Sequence, residues 1–363
     1  GPMLDRKLKD LITSRIFPRV QTPAQYVGGE LNMVQKDHRD VRGKLCMAFP
    51  DMYTIGMSHH GLQILYTLMN DRDDWACERA FTPGLDMEAE LRRHGLPLYS
   101  LETFTPLAEF DVIGFSLQYE ICGTNLLTML DLAGVPLHAD ARTMADPLIL
   151  AGGPCAQNPE PMAPFIDVFV TGDGEPSLPA ICDRWLELRE EFSGGGRRER
   201  AEALARLAAE LPYCYVPRFY EPEYADGRMV ALRRTRSDVP ETIEPSVIAD
   251  LEAVPIPTRP IVPYVECVHD RIAIEIMRGC PWQCRFCQST VIKRPLRIRS
   301  VESIVAGALE SYRNTGFNEI SILSLSTSDY PHFEELVNRL QEVFVPLGVN
   351  IAIPSLRVNE TLR

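Results

Sequence analysis

The chain has 363 residues, enough for two domains and a connecting segment. Its 45% hydrophobic and 24% charged content fit a soluble globular protein, and no apolar run reaches the length of a membrane span. A formal net charge of −13 argues against a globally basic nucleic-acid binder, so neither DNA nor a membrane is expected as a partner.

Gly1-Pro2 ahead of Met3 reads as a protease-cleavage remnant, and nothing at the start reads as a signal peptide. Residues 1–40 read as a polar helix and an irregular arm carrying Arg6, Lys7, Lys9, Arg15 and Arg19. Over 41–192 strands and helices alternate. Strands are predicted at 44–49, 78–81, 112–116, 148–150 and 168–170. Helices are predicted at 61–69, 85–93, 125–133 and 176–192. The helix at 85–93 has acids early and arginines late, as the helix dipole prefers. Gly134 stops the next helix, and Pro176 suits the first turn of the last. Such alternation predicts an α/β fold, a doubly wound, Rossmann-like open parallel sheet with helices on both faces.

Residues 193–270 read differently. Three glycines at 194–196 precede a charged amphipathic helix at 197–211. Strands at 213–220 and 229–234 flank Gly227 like a hairpin, and 240–263 is proline-rich and extended. This segment is expected to wrap or bridge two domains. From 271 the alternation resumes, with strands at 272–276, 319–323 and 349–353 and helices at 301–315 and 332–344.

Between the first of those strands and its helix lies Arg-Gly-Cys-Pro-Trp-Gln-Cys-Arg-Phe-Cys, with Cys280, Cys284 and Cys287 spaced Cys-x3-Cys-x2-Cys. Three thiolates on one short loop hold three irons of a [4Fe–4S] cluster and leave the fourth without a protein ligand. An open iron is a reactive iron, whereas structural zinc closes all its positions. The zinc alternative needs a fourth ligand, for which Cys267 and His269 are the upstream candidates, at least eleven residues away across an apolar strand. Ten cysteines without a disulfide-scaffold pattern, together with an oxygen-sensitive cluster, imply a reducing cytoplasm.

The cysteine spacing, with Phe286 before the last thiol and an apolar strand before the loop, resembles the radical S-adenosylmethionine (radical SAM) superfamily. The resemblance implies that SAM chelates the open iron and that one-electron reduction cleaves it to a 5′-deoxyadenosyl radical, with flavodoxin or ferredoxin as reductant. It implies a barrel of six βα units. Three are present in 271–363, so the expectation is the first half of a radical SAM (βα) barrel in a chain that stops inside a longer protein. The third strand would then have an open, apolar edge. By the same resemblance, Ser324, Ser326 and Thr327 replace a Gly-Gly-Glu run that contacts the SAM amine. Asp329 reads either as a further acceptor in that loop or as a helix cap. Ser355 and Arg357 point to the same barrel end, and Arg357 would pair with the SAM carboxylate. The basic run Lys293, Arg294, Arg297 and Arg299 reads as a solvated loop or as a contact to that carboxylate or to a substrate phosphate.

The first domain is similar to cobalamin-binding domains that precede radical SAM barrels. The similarity lies in Ile-Gly-Met-Ser-His-His-Gly-Leu-Gln-Ile-Leu-Tyr, Asp-Val-Ile-Gly-Phe-Ser-Leu-Gln-Tyr-Glu, Ala-Gly-Gly-Pro-Cys-Ala-Gln-Asn-Pro-Glu and the Gly-Asp-Gly-Glu turn. It implies that the loops at 51–60, 116–120, 152–154 and 172–175 line a ligand edge, with Ser116, Gly152, Gly153, Gly174 and Glu175 as cofactor contacts. Small residues there let a flat ligand approach the backbone. The sequence departs from that pattern at Tyr53, in Asp51-Met-Tyr53-Thr-Ile-Gly56, where the family's cobalt-ligating histidine would stand. His59 and His60 are close by but out of register.

The expected function is a radical SAM enzyme, with cobalamin as a candidate relay of a methyl group to an unactivated carbon. One alternative is a cobalamin-free enzyme, like the RNA methylthiotransferases, whose first domain recognises the substrate. Another is an electron-transfer or scaffold protein that uses the cluster without cleaving SAM. RNA, a protein or a metabolite remain open as substrate.

Overall fold

The computed structural model describes residues 2–356, with side chains from Lys7 onward. It divides into two compact units. The first comprises Gly1–Gly29, Val34–Gly56 and Met69–Val247, and the second Glu30–Met33, Met57–Leu68 and Ile248–Arg363. The segment at 193–270 is therefore shared, with 193–247 in the first unit and 248–270 in the second. No helix among the described residues is long and apolar enough to cross a membrane.

The first unit opens with helix α1 (Pro2–Leu11) and is built on a six-stranded sheet. Its strands are β1 (Gly43–Phe49), β2 (Trp75–Phe81), β3 (Val112–Ser116), β4 (Leu148–Gly152), β5 (Val168–Val170) and β6 (Cys214–Tyr215), in the order β2-β1-β3-β4-β5-β6. All pair in parallel except β6, which runs antiparallel to β5. The connecting helices are α2 (His60–Asn70), most of which belongs to the second unit, α3 (Leu85–His94), α4 (Gly123–Ala133), α5 (Gly174–Glu191) and α6 (Arg197–Glu210). Near-continuous apolar strands such as Leu-Ile-Leu-Ala are buried, as parallel strands covered on both faces must be. The strand order reverses between β1 and β3, the switch point at which such sheets bind ligands.

Two elements differ from the sequence expectation. Strand β2 is seven residues long and wholly buried, although it carries Glu78 and Arg79 at a sheet edge. The edge is covered by residues 98–105: the Leu101 N–H donates to the Arg79 carbonyl at 2.9 Å, and the Arg79 guanidinium pairs with Glu102 at 2.5 Å. Charge meets charge inside, and the edge is closed. The strand expected at 213–220 is split. Its start becomes β6, a short helical turn opens at Pro217, and the hairpin forms later from β7 (Tyr220–Ala225) and β8 (Arg228–Arg234). Proline cannot donate to a ladder, so pairing stops there.

In the second unit, β9 (Ile272–Glu275), β12 (Glu319–Leu323) and β13 (Asn350–Ala352) form a parallel sheet in the order β13-β12-β9. Helices α7 (Val301–Thr315) and α8 (Phe333–Phe344) cover one face. Their core contains Ile272, Ile274, Ile320, Ile322, Ala308, Leu336 and Phe344. The predicted strand at 272–276 ends at Glu275, and the chain then forms β10 (Met277–Arg278), which pairs antiparallel with β11 (Arg297–Ile298). This small ribbon brackets the cysteine loop. Strand β13 has no partner on its outer edge among the described residues.

The first unit is locked by one buried carboxylate. Asp167 Oδ2 accepts from Arg200 at 2.7 Å and the Ile149 N–H at 2.8 Å, and Arg142 lies 3.2 Å away. Arg200 also donates to the carbonyls of Thr143, Asp146 and Pro147, which fastens α6 to the entry of β4. Burial alone would raise the Asp167 pKa, but Arg200 and Arg142 hold it below the ordinary carboxylate value. Its stabilisation is therefore present above the unfolded-state pKa and is lost as pH falls through the lower folded value. Asp167→Ala should destabilise the protein by about 3–5 kcal/mol, because two guanidinium groups lose their partner. Urea unfolding at neutral pH checks this, and the gap between variant and wild type should narrow in acid.

Candidate functional site

The cysteine loop leaves the carboxyl-terminal end of β9 through β10 and turns at Gly279. Gly279 has φ +91°, and a Cβ there would stand 2.6 Å from the Lys293 carbonyl oxygen. Only glycine makes this turn, and the turn delivers Cys280. Cys280, Cys284 and Cys287 are half-buried and form no disulfide. The Cys287 N–H donates to the Cys284 carbonyl at 3.0 Å, so the last two cysteines share one tight turn. Thr290 Oγ1 donates to the Cys287 carbonyl at 2.9 Å and ties that turn to the short helix Ser289–Ile292. Phe286 is 92% exposed.

These residues suit a [4Fe–4S] cluster: three partly exposed cysteines on one loop at the end of a parallel strand. Among the described residues no three His, Cys, Asp or Glu side chains gather closely enough for a single metal ion. A cubane spreads its thiolates wider than a mononuclear ion does. Cys267, the upstream thiol of the zinc alternative, is buried, and burial with Asp270 and Glu30 raises its pKa to about 12.

A clasp joins the cysteine loop to the loop after β12. The Trp282 indole Nε1–H donates to Asp329 Oδ2 at 2.6 Å, and Ser326 Oγ donates to the same oxygen. Ser324 Oγ and Thr327 Oγ1 bond each other at 2.8 Å, and the Thr327 N–H donates to the Ser355 carbonyl at 3.1 Å. Ser326 and Thr327 are buried. These hydroxyls thus organise their own loop, with Asp329 at its hub. Arg357 lies outside the described residues.

The basic run divides. Arg297 and Arg299 are buried. Arg297 donates to the carbonyls of Pro295 at 2.8 Å and Ile248 at 3.0 Å, so it is neither solvated nor turned to a ligand. Arg294 is exposed, with its Nε–H on the Thr290 carbonyl at 2.7 Å. The sequence reading missed Glu275, the last residue of β9. Burial would raise its pKa, but a two-point contact from Arg278, at 2.8 and 3.1 Å, holds it below the ordinary range, with His60 and Arg299 contributing. The Glu-x-x-Arg run just before the cysteines was the available signal.

On the first sheet, Ser116, Gly152, Gly153 and the turn before Gly174 and Glu175 do stand at strand ends. Most of the small residues there face the chain's own backbone. A Cβ on Gly153 (φ +96°) would meet the Leu117 carbonyl oxygen at 2.6 Å. One on Gly172 (φ +91°) would meet the Ser246 oxygen at 2.1 Å, because Asp173 N–H and Ser246 N–H bond residues 171–173 to that strap. Gly152 has open space beside it. Across the switch point, Tyr119 donates its hydroxyl to Asp51, and Asn125 Nδ2 donates to the Pro50 carbonyl at 3.1 Å. Tyr53 is 1% exposed and packs edge-on against Phe81. His59 and His60 fall in the second unit. Buried against Phe81, Tyr53 is not set to ligate cobalt.

Two family models match the chain. "Radical SAM proteins, N-terminal" matches residues 61–217, and "Radical SAM superfamily" matches 274–363. The uncharacterised protein MJ0966 of Methanocaldococcus jannaschii is 25% identical over 268 residues, covering 72% of this chain and 48% of that protein. The ribosomal protein uS12 methylthiotransferase RimO of Prochlorococcus marinus is 32% identical over 98 residues, which is 25% of this chain and 21% of the relative. Among solved structures, the radical S-adenosylmethionine methyltransferase TsrM from Kitasatospora setae aligns with a TM-score of 0.47 and 14% identity, over 85% of this chain and 54% of that one. The chain spans about half the length of the archaeal relative and about a fifth of the methylthiotransferase.

Two outcomes are expected. Replacing Cys280, Cys284 and Cys287 together by alanine should abolish iron binding after anaerobic reconstitution, where the wild type takes up about four irons per chain. Asp329→Ala should leave the fold intact by circular dichroism but red-shift Trp282 emission in the iron-free protein, because Trp75 and Trp185 are fully buried and insensitive.

Proposed function

The chain belongs to the radical SAM superfamily, and on that premise we propose that it forms the cofactor-holding part of a radical SAM enzyme. The observation that carries this is the open, three-thiol loop at the carboxyl end of β9. Cys280, Cys284 and Cys287 would hold a [4Fe–4S] cluster and leave one iron for SAM. When bound, that pair supplies reductive cleavage of SAM and a carbon-centred radical. The chain's own residues position it. Gly279 sets the turn, and Asp329 fixes the cysteine loop through Trp282 and the β12 loop through Ser326. Glu275 and Arg278 hold the strand end that precedes the thiols.

For the first unit, the reading supported best is a substrate-recognition module rather than a cobalamin carrier. The support is that Gly153 and Gly172 are filled by Leu117 and Ser246, and that Tyr53 is buried. The transferred group would then be methylthio or another group whose chemistry needs no corrin, on a protein or RNA substrate. Cobalamin-dependent methyl transfer is the competing reading, and a reductant of flavodoxin or ferredoxin type serves both.

Addition of SAM to the reduced, reconstituted protein should alter the cluster's EPR spectrum and release 5′-deoxyadenosine. An intact cluster that does neither would sink the SAM reading in favour of an electron-transfer role. Hydroxocobalamin, titrated and followed by gel filtration, should not be retained. Stoichiometric retention that is lost in a Gly153→Trp variant would instead establish the corrin reading.

A further inference from the structure

The second unit contains a cavity of about 70 Å³ that takes in the start of β9, while the cysteine loop leaves from that strand's other end. His59, His60, His269 and Arg271 line it, together with Gln63 and Ser311. No Asp or Glu is among its lining residues, in a chain with 50 acidic and 37 basic side chains. That bias runs against the charge of the whole molecule, so it needs a local reason. Glu319 and Glu275 act from outside the lining: Glu319 pairs with Arg271 at 3.2 Å, and Glu275 acts on His60 but is held by Arg278.

The polar atoms are set as donors. The Leu62 N–H donates to His59 Nδ1 at 3.2 Å, so a neutral His59 carries its proton on Nε2. Gln63 Oε1 accepts from the Ile261 N–H at 3.3 Å and is thereby occupied. Arg271 Nη2 meets His269 Nδ1 at 3.1 Å, which makes that nitrogen the acceptor and places the His269 proton on Nε2. Ser311 is fully buried, and its Oγ has no hydrogen-bond partner. A buried, unpartnered hydroxyl is unfavourable unless a ligand or water completes it. Pro257, Pro260 and Pro263 form a stiff wall with no N–H groups of their own to satisfy.

We propose that this cavity binds an oxyanion group, the phosphate or carboxylate of a small ligand, at a site separate from the cysteine loop. A single anionic group suits both the size of the cavity and its excess of donors. Arg271 supplies the fixed charge, His269 with its Nε2–H a directed donor, and Ser311 the buried hydroxyl.

The test is calorimetric titration of the iron-free protein with inorganic phosphate and, separately, with acetate, against chloride at matched ionic strength. Because no cluster is needed, failure here is distinguishable from failure of the radical SAM reading. One of the two anions should bind saturably at one site per chain, and which of them binds identifies the group. Ser311→Ala removes a hydroxyl that has no partner, so it should fold as the wild type does and weaken binding about tenfold, the effect of one hydrogen bond to a charged ligand. His269→Gln should weaken it similarly. No saturable binding beyond that of chloride, or unchanged affinity in both folded variants, would overturn the proposal.

Discussion

The hydrogen bond from Trp282 to Asp329 is the contact on which the candidate site depends. A loop whose cysteines must reach iron is not anchored by burying them in a core of its own. It has to be fixed from outside. Gly279 fixes its entry, the Cys287 carbonyl and Thr290 its exit, and Asp329 its middle. Asp329 also receives Ser326, so a single carboxylate sets two loops at once. This also explains why Ser326 and Thr327 are buried, although the sequence presents them as a polar loop.

Both units solve the same electrostatic problem in an acidic chain. Carboxylates inside them are not left alone. Asp167 has Arg200 and Arg142, Glu102 has Arg79, and Glu275 has Arg278. The Arg200, Arg79 and Arg278 pairings are short and hydrogen-bonded, the condition under which a buried ion pair is tolerated. The buried Arg297 is held by carbonyl oxygens, those of Pro295 and Ile248. The anion-seeking cavity beside β9 is the exception, with positive charge and donors but no carboxylate in its lining.

The carboxyl edge of the first sheet shows how one composition supports two readings. Glycines at successive strand ends suit either a flat cofactor or a close backbone crossing. Here the backbone takes the space at Gly153 and Gly172, through Leu117 and the strap at Ser246. Tyr119 and Asn125 then bridge the β1 and β3 loops at the switch point. A fold of this class keeps its switch-point edge in place even where its own chain packs against part of that edge.

The sequence by itself determined the local elements and the chemistry of the cysteine loop. Parallel strands such as β3, β5 and β12, and helix α7 with Gly316 at its end, were legible because periodicity, caps and stops are properties of neighbours. The thiol spacing was legible for the same reason: all three cysteines lie on one loop, within the 274–363 match to the radical SAM family model. The tertiary structure alone decided everything that joins distant residues. The extra length of β2 depends on residues 98–105 covering its edge. The pairing of Cys214 and Tyr215 depends on β5 lying beside them. The placing of His59 and His60 beside Arg271, and of Trp282 on Asp329, spans gaps that no local pattern encodes. Hydrogen bonds and burial act through space, whereas propensity acts along the chain, and the candidate site needed both.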